Sequence, residues 1–230
     1  MLQSPTSLIL ASASATRLAL LHAAGLRATA RPARIDEAAL KQSARAEGAT
    51  ASGTALMLAT LKAIYAHAAD PAGEDTLVIG ADQLLTCGDA WFDKPATRAE
   101  ARAHLRHLRG RTHTLHTAVT CLRGGIEVWH HVATPRLAMR RFSDAFLDAY
   151  LDTEGDAVLS SVGAYRLEGP GLQLFEHIDG EHSAILGLPM LPPARLPPPA
   201  RHPPELRAKA AGKAGLCPDP PGRAALDWPY

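Results

Sequence analysis

The sequence predicts an α/β fold built on a mixed sheet. Two observations carry this. Short apolar runs rich in strand formers alternate with amphipathic helices through the first half of the 230 residues. A Gly124-Gly125 pair then joins two strand-like stretches as a hairpin, which brings antiparallel pairing into the sheet.

Leu8–Ala11 reads as a buried strand. It breaks at Ser12 and Ser14 into a helix over Ala15–Ala24, with Leu18, Leu21 and Leu26 near one face and Gly25 as its stop. Arg27–Ala33 reads as extended. Asp36–Glu47 reads as a helix with acidic residues in its first turn, where they suit the macrodipole. Ser52–Ala68 is a longer helix, and Pro71-Ala72-Gly73 a loop. TLVIGA, Thr76–Ala81, is too short for a stable helix and predicts a central strand ending at Asp82, with Gln83–Thr86 as a second short strand. Thr97–Arg109 carries a capping box, Thr97 with Glu100, and stops at Gly110. Thr112–Leu122 and Ile126–Arg140 flank the hairpin. Ser143–Thr153 is a helix burying Phe146, Leu147, Tyr150 and Leu151, and Leu172–Ile178 is a last strand.

The composition excludes several classes. A net charge of +1 gives no global attraction to nucleic acid or membrane, and 5% aromatics gives no stacking platform. No apolar run reaches the roughly 20 residues of a membrane helix. Cys87, Cys121 and Cys217 are widely spaced without a CxxC pair, which fits a reducing cytoplasm better than a disulfide or zinc framework. From residue 191 the chain turns Pro-rich: eleven of the eighteen prolines lie beyond Met190. The reading is a folded domain over 1–190 and a disordered or polyproline-like tail over 191–230.

Four places carry candidate chemistry. In Ser12-x-Ser14-x-x-Arg17, two hydroxyls and a guanidinium sit at a strand-to-helix turn whose free N–H groups suit an anion; a capped helix with a surface arginine explains the same residues. Asp82 follows a buried strand, where open sheets place ligands, although turns also favour aspartate there. Lys94 is held extended by Pro95 and could balance phosphate charge or stand in solvent. Lys62, Glu37 and Arg111 read individually as a snorkelling lysine, a dipole partner and a loop arginine. The eleven histidines show no metal-binding spacing, and no nucleophile elbow is present.

Taken in order, LILASASATRLALL, RIDEA, LATLKA, VIGADQLL, FDKP, HLRGRTHTLHTAV, VGAYRLEGPG and LFEHIDGEHSAILGLP resemble the Maf family of nucleoside triphosphate pyrophosphatases over Ser7–Pro189. The resemblance implies a Maf/ITPase-like fold with two lobes around a deep cleft. It implies hydrolysis of a nucleoside triphosphate to the monophosphate and pyrophosphate, as house-cleaning of non-canonical or surplus nucleotides. It also implies a divalent metal (Mg²⁺ or Mn²⁺) and a homodimer. Carried onto this chain, Asp82, Lys94 and Lys62 would be catalytic. Ser12, Ser14, Arg17, Gln83, Arg111 and Glu168 would bind substrate, and Asp82 with Glu37 would hold the metal. A non-catalytic nucleotide-binding regulator linked to cell-division arrest is the alternative.

The chain departs from the family pattern in three ways. Many members have SxSPRR, whereas Ala15-Thr16-Arg17 leaves one arginine. The lysine that dTTP/UTP-preferring members often carry before GAY is absent from Leu159-Ser160-Ser161-Val162. Gln83 and Glu168 look like the branch that includes 7-methyl-GTP enzymes, while GAY looks like the pyrimidine branch, so the preferred base stays open. Third, members continue after GLP into an amphipathic helix. Here the composition near Pro192 predicts a reading-frame shift, which resequencing the 3′ end of the gene would test.

Overall fold

A computed structural model describes residues 7–69 and 76–190. The predicted loop at 71–73 and the tail from 191 lie outside the described residues.

The order of elements is β1 (Ser7–Leu10), α1 (Ala15–Ala23), β2 (Ala28–Ala30), α2 (Glu37–Ala46), α3 (Ala51–Ala69), β3 (Thr76–Cys87), β4 (Ala90–Phe92), α4 (Arg98–Leu108), β5 (Thr112–Arg123), β6 (Ile126–Ala133), β7 (Arg136–Met139), α5 (Asp144–Glu154), β8 (Phe175–Asp179) and α6 (His182–Ile185). Short 3₁₀ turns fill Gly155–Ala164 and Pro170–Leu174. The strands form one eight-stranded mixed sheet, ordered β2-β1-β3-β5-β7-β8, with β4 beside β3 and β6 beside β5. β2 and β3 run parallel to β1, and the remaining pairings are antiparallel.

Alternation along the strands divides the core. Leu8, Leu10, Ile79, Ala81, Val119 and Cys121 pack with Leu21 of α1 on one face. Ile9, Val78 and Leu122 pack with Ala63 and Ala66 of α3 on the other. A larger cluster joins Leu85, Leu115 and Leu137 of the sheet to Leu105 and Leu108 of α4 and Leu147 and Leu151 of α5. The buried side of α3 is mostly alanine, so the helix lies close against the sheet. A Cβ on Gly80 would meet the Ala59 carbonyl oxygen at 1.9 Å, well inside van der Waals contact.

Three readings of the elements change. The strand predicted to end at Asp82 does not end there: β3 is one strand of 12 residues, and β5 pairs along it through ten residue pairs, carrying it past Asp82. The long strand predicted over Ile126–Arg140 is split, because Pro135 cannot donate to the ladder. The last strand starts at Phe175, after a 3₁₀ turn opened by Pro170.

The long β3 positions the site. Its start pairs with β1 as far as Ile79, and its end pairs with β4 from Leu85. Between those points neither strand pairs with that edge. The turn after β1 enters there, and the Ala81 carbonyl accepts a hydrogen bond from Arg17 Nη1 at 2.9 Å in place of a strand partner.

Candidate active site

A cavity of about 980 Å³ opens beside this edge. Its walls come from the turn after β1, the start of α2, Lys62 of α3, Asp82 and Gln83 of β3, the Asp93-Lys94 segment, the 160–168 stretch and the Ile185–Gly187 turn.

The centre is an ion-pair cluster. Asp82 lies on the face of β3 that α3 covers, between Gly80 and Leu84, and Lys62 on the buried side of α3, about one helix turn after Ala59, meets it there. Lys62 Nζ is 2.5 Å from Asp82 Oδ1 and 2.9 Å from Glu37 Oε1. Asp82 and Lys62 are both buried, whereas Glu37 is half-exposed at the first turn of α2. Asp82 Oδ2 is also buried and has no hydrogen-bond partner among the described residues. A desolvated, unsatisfied carboxylate oxygen is costly to leave unpaired, and on a cavity wall it is an acceptor held ready for a proton or a cation.

Around this cluster stand more cations. The Ser14 hydroxyl caps α1 by accepting from the Arg17 N–H at 3.3 Å, and the Ser14 N–H donates to Ser12 Oγ at 3.2 Å. Arg17 donates from Nε to the Gly187 carbonyl at 2.7 Å and from Nη1 to Ser12 Oγ at 3.1 Å, as well as to Ala81. Nη2 makes none of these bonds. Burial lowers the guanidinium's pKa, with Asp82 and Glu37 opposing that shift. Lys94 has no hydrogen bond or ion pair among the described residues. Partial desolvation, then the charges of Arg17 and Lys62, lower its pKa. Lys41 donates to Asp93 Oδ1 at 2.6 Å; partial burial pulls its pKa down, but Asp93, Asp82 and Glu37 together raise it.

The structure thus brings Ser12, Ser14, Arg17, Glu37, Lys62, Asp82, Gln83, Lys94 and Glu168 to one cavity. It does not bring Arg111. That side chain is exposed in the turn after α4, off the cavity wall, with Nη1 3.2 Å from His107 Nε2. Gln83 reaches the wall, but its amide nitrogen bonds Thr117 Oγ1 at 2.8 Å and the Ala184 and Ile185 carbonyls at 3.0 and 3.1 Å. Its NH₂ therefore holds the α6 turn. Glu168 is exposed, 3.7 Å from Arg166 Nε, and Arg166 in turn donates to the buried Glu154 at 3.1 Å. Lys41 and Arg166 were missed from sequence. Lys41 had a signal: it lies four residues after Glu37 on the same helix, hence on the same face.

In this mixed-sheet α/β protein, guanidinium, ammonium and hydroxyl groups gather around one buried carboxylate, a chemistry suited to a polyanion. The comparisons name the family. A family model described as Maf-like protein matches residues 7–196, and the chain belongs to that family. It is 55% identical over 185 residues to a nucleoside triphosphate pyrophosphatase of Granulibacter bethesdensis, covering 80% of this chain and 92% of that one. It is 54% identical over 192 residues to one of Gluconobacter oxydans, covering 84% and 94%. It is also 49% identical over 187 residues to a 7-methyl-GTP pyrophosphatase of Rhizobium meliloti, covering 80% and 92%.

Proposed function

We propose that this chain is a nucleoside triphosphate pyrophosphatase, a hydrolase of acid anhydrides. Water attacks the α-phosphorus, the bond to the bridging oxygen of the β-phosphate breaks, and monophosphate and pyrophosphate leave. The observation that carries the reading is the buried Lys62–Asp82 pair, joined by Glu37, on a cation-lined cavity, in a chain so similar to enzymes of that name.

The geometry supports the following roles. Asp82 Oδ1 is taken by Lys62, so Oδ2 orients the attacking water and accepts its proton. The Ser14 turn and Arg17 Nη2 receive phosphate oxygens at the N-terminus of α1. Lys94, on the wall and without an ion pair among the described residues, balances charge gathering on the leaving pyrophosphate. Glu168, an exposed carboxylate on the same cavity, is suited to accept from the N1–H and N2 amino group of a guanine.

A divalent metal belongs to this reading. Among the described residues no three His, Cys, Asp or Glu side chains form a metal-binding group. Two carboxylates, Asp82 with its unpaired Oδ2 and Glu37, are on the wall. That donor set fits Mg²⁺ or Mn²⁺, which take one or two carboxylates and complete their shell with water and phosphate oxygens. Bound there, the ion would neutralise phosphate charge and acidify water.

A homodimer and a cytoplasmic setting are part of the same reading. Cys87 and Cys121 are free and buried, and no described helix is long and apolar enough to cross a membrane.

The test is purified protein with Mg²⁺ or Mn²⁺ and a panel of dTTP, UTP, CTP, GTP and 7-methyl-GTP. Equimolar monophosphate and pyrophosphate is the expected product pair, abolished by chelation. Orthophosphate as first product would reject the mechanism, and tight binding without turnover would favour the regulator.

A further inference from the structure

The cavity holds an ion pair that the proposed chemistry does not use, between Lys41 and Asp93. We propose that Lys41 is a positioning residue that acts through Asp93 to set the place of Lys94; this rests on the pyrophosphatase reading above.

Three observations support it. First, Glu37 and Lys41 are one turn apart on α2 and share a face. Glu37 reaches Lys62 at 2.9 Å, and Lys41 reaches Asp93 at 2.6 Å. One helix face thus grips one cation directly and the chain neighbour of the other. Second, Lys94 lies between the end of β4 and the cap of α4, in a segment outside any strand or helix. Pro95 removes one backbone donor there. The segment's far end is tied by the Ala96 N–H donating to Glu100 Oε2 at 2.8 Å, and its cavity end by Lys41–Asp93. Third, Lys94 makes no hydrogen bond or ion pair of its own among the described residues, so its place follows that of Asp93.

The pair contributes little to stability. The Lys41 side chain is 15% and the Asp93 side chain 65% exposed, and an ion pair whose carboxylate stands in solvent typically contributes about 1 kcal/mol or less. Its effect is on placement, where a displacement of about 1 Å can cost up to a hundredfold in rate.

The experiment is a double-mutant cycle on the full chain: Lys41→Met, Lys94→Ala and both together, assayed with Mg²⁺ and the best triphosphate of the panel. Lys41→Met should lower kcat roughly tenfold with KM within about twofold, and Lys41→Arg should restore most of it. Its Tm should stay within about 3 °C of wild type. In the Lys94→Ala background, Lys41→Met should cost nothing further, because the residue it positions is gone. A full additional loss in that background would overturn the inference, showing that Lys41 meets the substrate itself or acts by packing; so would an unchanged kcat in Lys41→Met alone. A wild-type chain that turns over no triphosphate would instead remove the catalytic reading, and this inference with it.

Discussion

At the scale of single residues, the buried Asp82–Lys62 pair makes a prediction with an asymmetry in it. Lys62 faces two carboxylates, so removing either leaves it one partner. Removing Lys62 leaves buried Asp82 and nearby Glu37 with no cation between them, and breaking a buried pair from one side typically costs about 3 kcal/mol. Lys62→Met should therefore destabilise by about that much. Asp82→Asn should fold with a stability close to wild type while losing turnover, since an amide can neither take the proton nor carry charge to a metal. Urea titrations of the two variants check it; equal losses would refute the asymmetry. Arg17 shows what sequence could reach here. The motif marked it as a candidate phosphate ligand, but its Nε and Nη1 hold Gly187, Ser12 and Ala81. The guanidinium is a structural strut first, and Nη2 alone is left for substrate. No local pattern could tell that, because Gly187 and Ala81 are distant in the chain.

At the scale of elements, the legible parts were those with local causes. Helix caps at Ser14, Thr97 and Ser143 accept the N–H bonds that their types predict, while Asp36, read from sequence as a first-turn residue, is the cap of α2. What sequence could not show was the uninterrupted run of β3 through Asp82, because the pairing that sustains it comes from β5, about 35 residues on. A second long-range pairing, of β5 with β7, sets His113 opposite Leu137, and its ring stands beside Tyr165, which lines the cavity. His113 is buried, its Nε2 is hydrogen-bonded to Tyr165 Oη at 2.9 Å, and its Nδ1 has no partner among the described residues. Burial lowers its pKa from 6.5 to about 4. Between those values the unfolded chain binds a proton that the folded chain refuses. Stability is therefore whole above pH 6.5 and falls as the pH drops toward 4, by roughly 3 kcal/mol from this group. His113→Gln keeps a polar partner for Tyr165 and cannot charge. Its stability should change less over that window when both proteins are titrated with urea at pH 7, 5.5 and 4. Parallel curves would show that other groups dominate the acid loss.

At the scale of the whole molecule, the site is assembled from both ends of the described chain, from Ser12 to Gly187, with the long β3 as the common support. A net charge of +1 gives no general pull on anions, so on the proposed reading affinity comes from this local gathering of Arg17, Lys62 and Lys94. That has a measurable consequence. A ligand seated there is held by the turn after β1, α2, α3, β3 and the Ile185–Gly187 turn together, so unfolding must release it. Asp82→Asn, which should bind without consuming its ligand, permits the measurement at equilibrium. At a hundred times the dissociation constant a triphosphate should add about 2.7 kcal/mol. For a domain of this size that is a rise in Tm of about 5–10 °C. The corresponding nucleoside has the base and no phosphates, so at the same concentration it should raise Tm by a small fraction of that. An equal rise from the nucleoside would mean that the base end near Glu168 dominates binding, and that the cations around Asp82 serve the fold and not the phosphates.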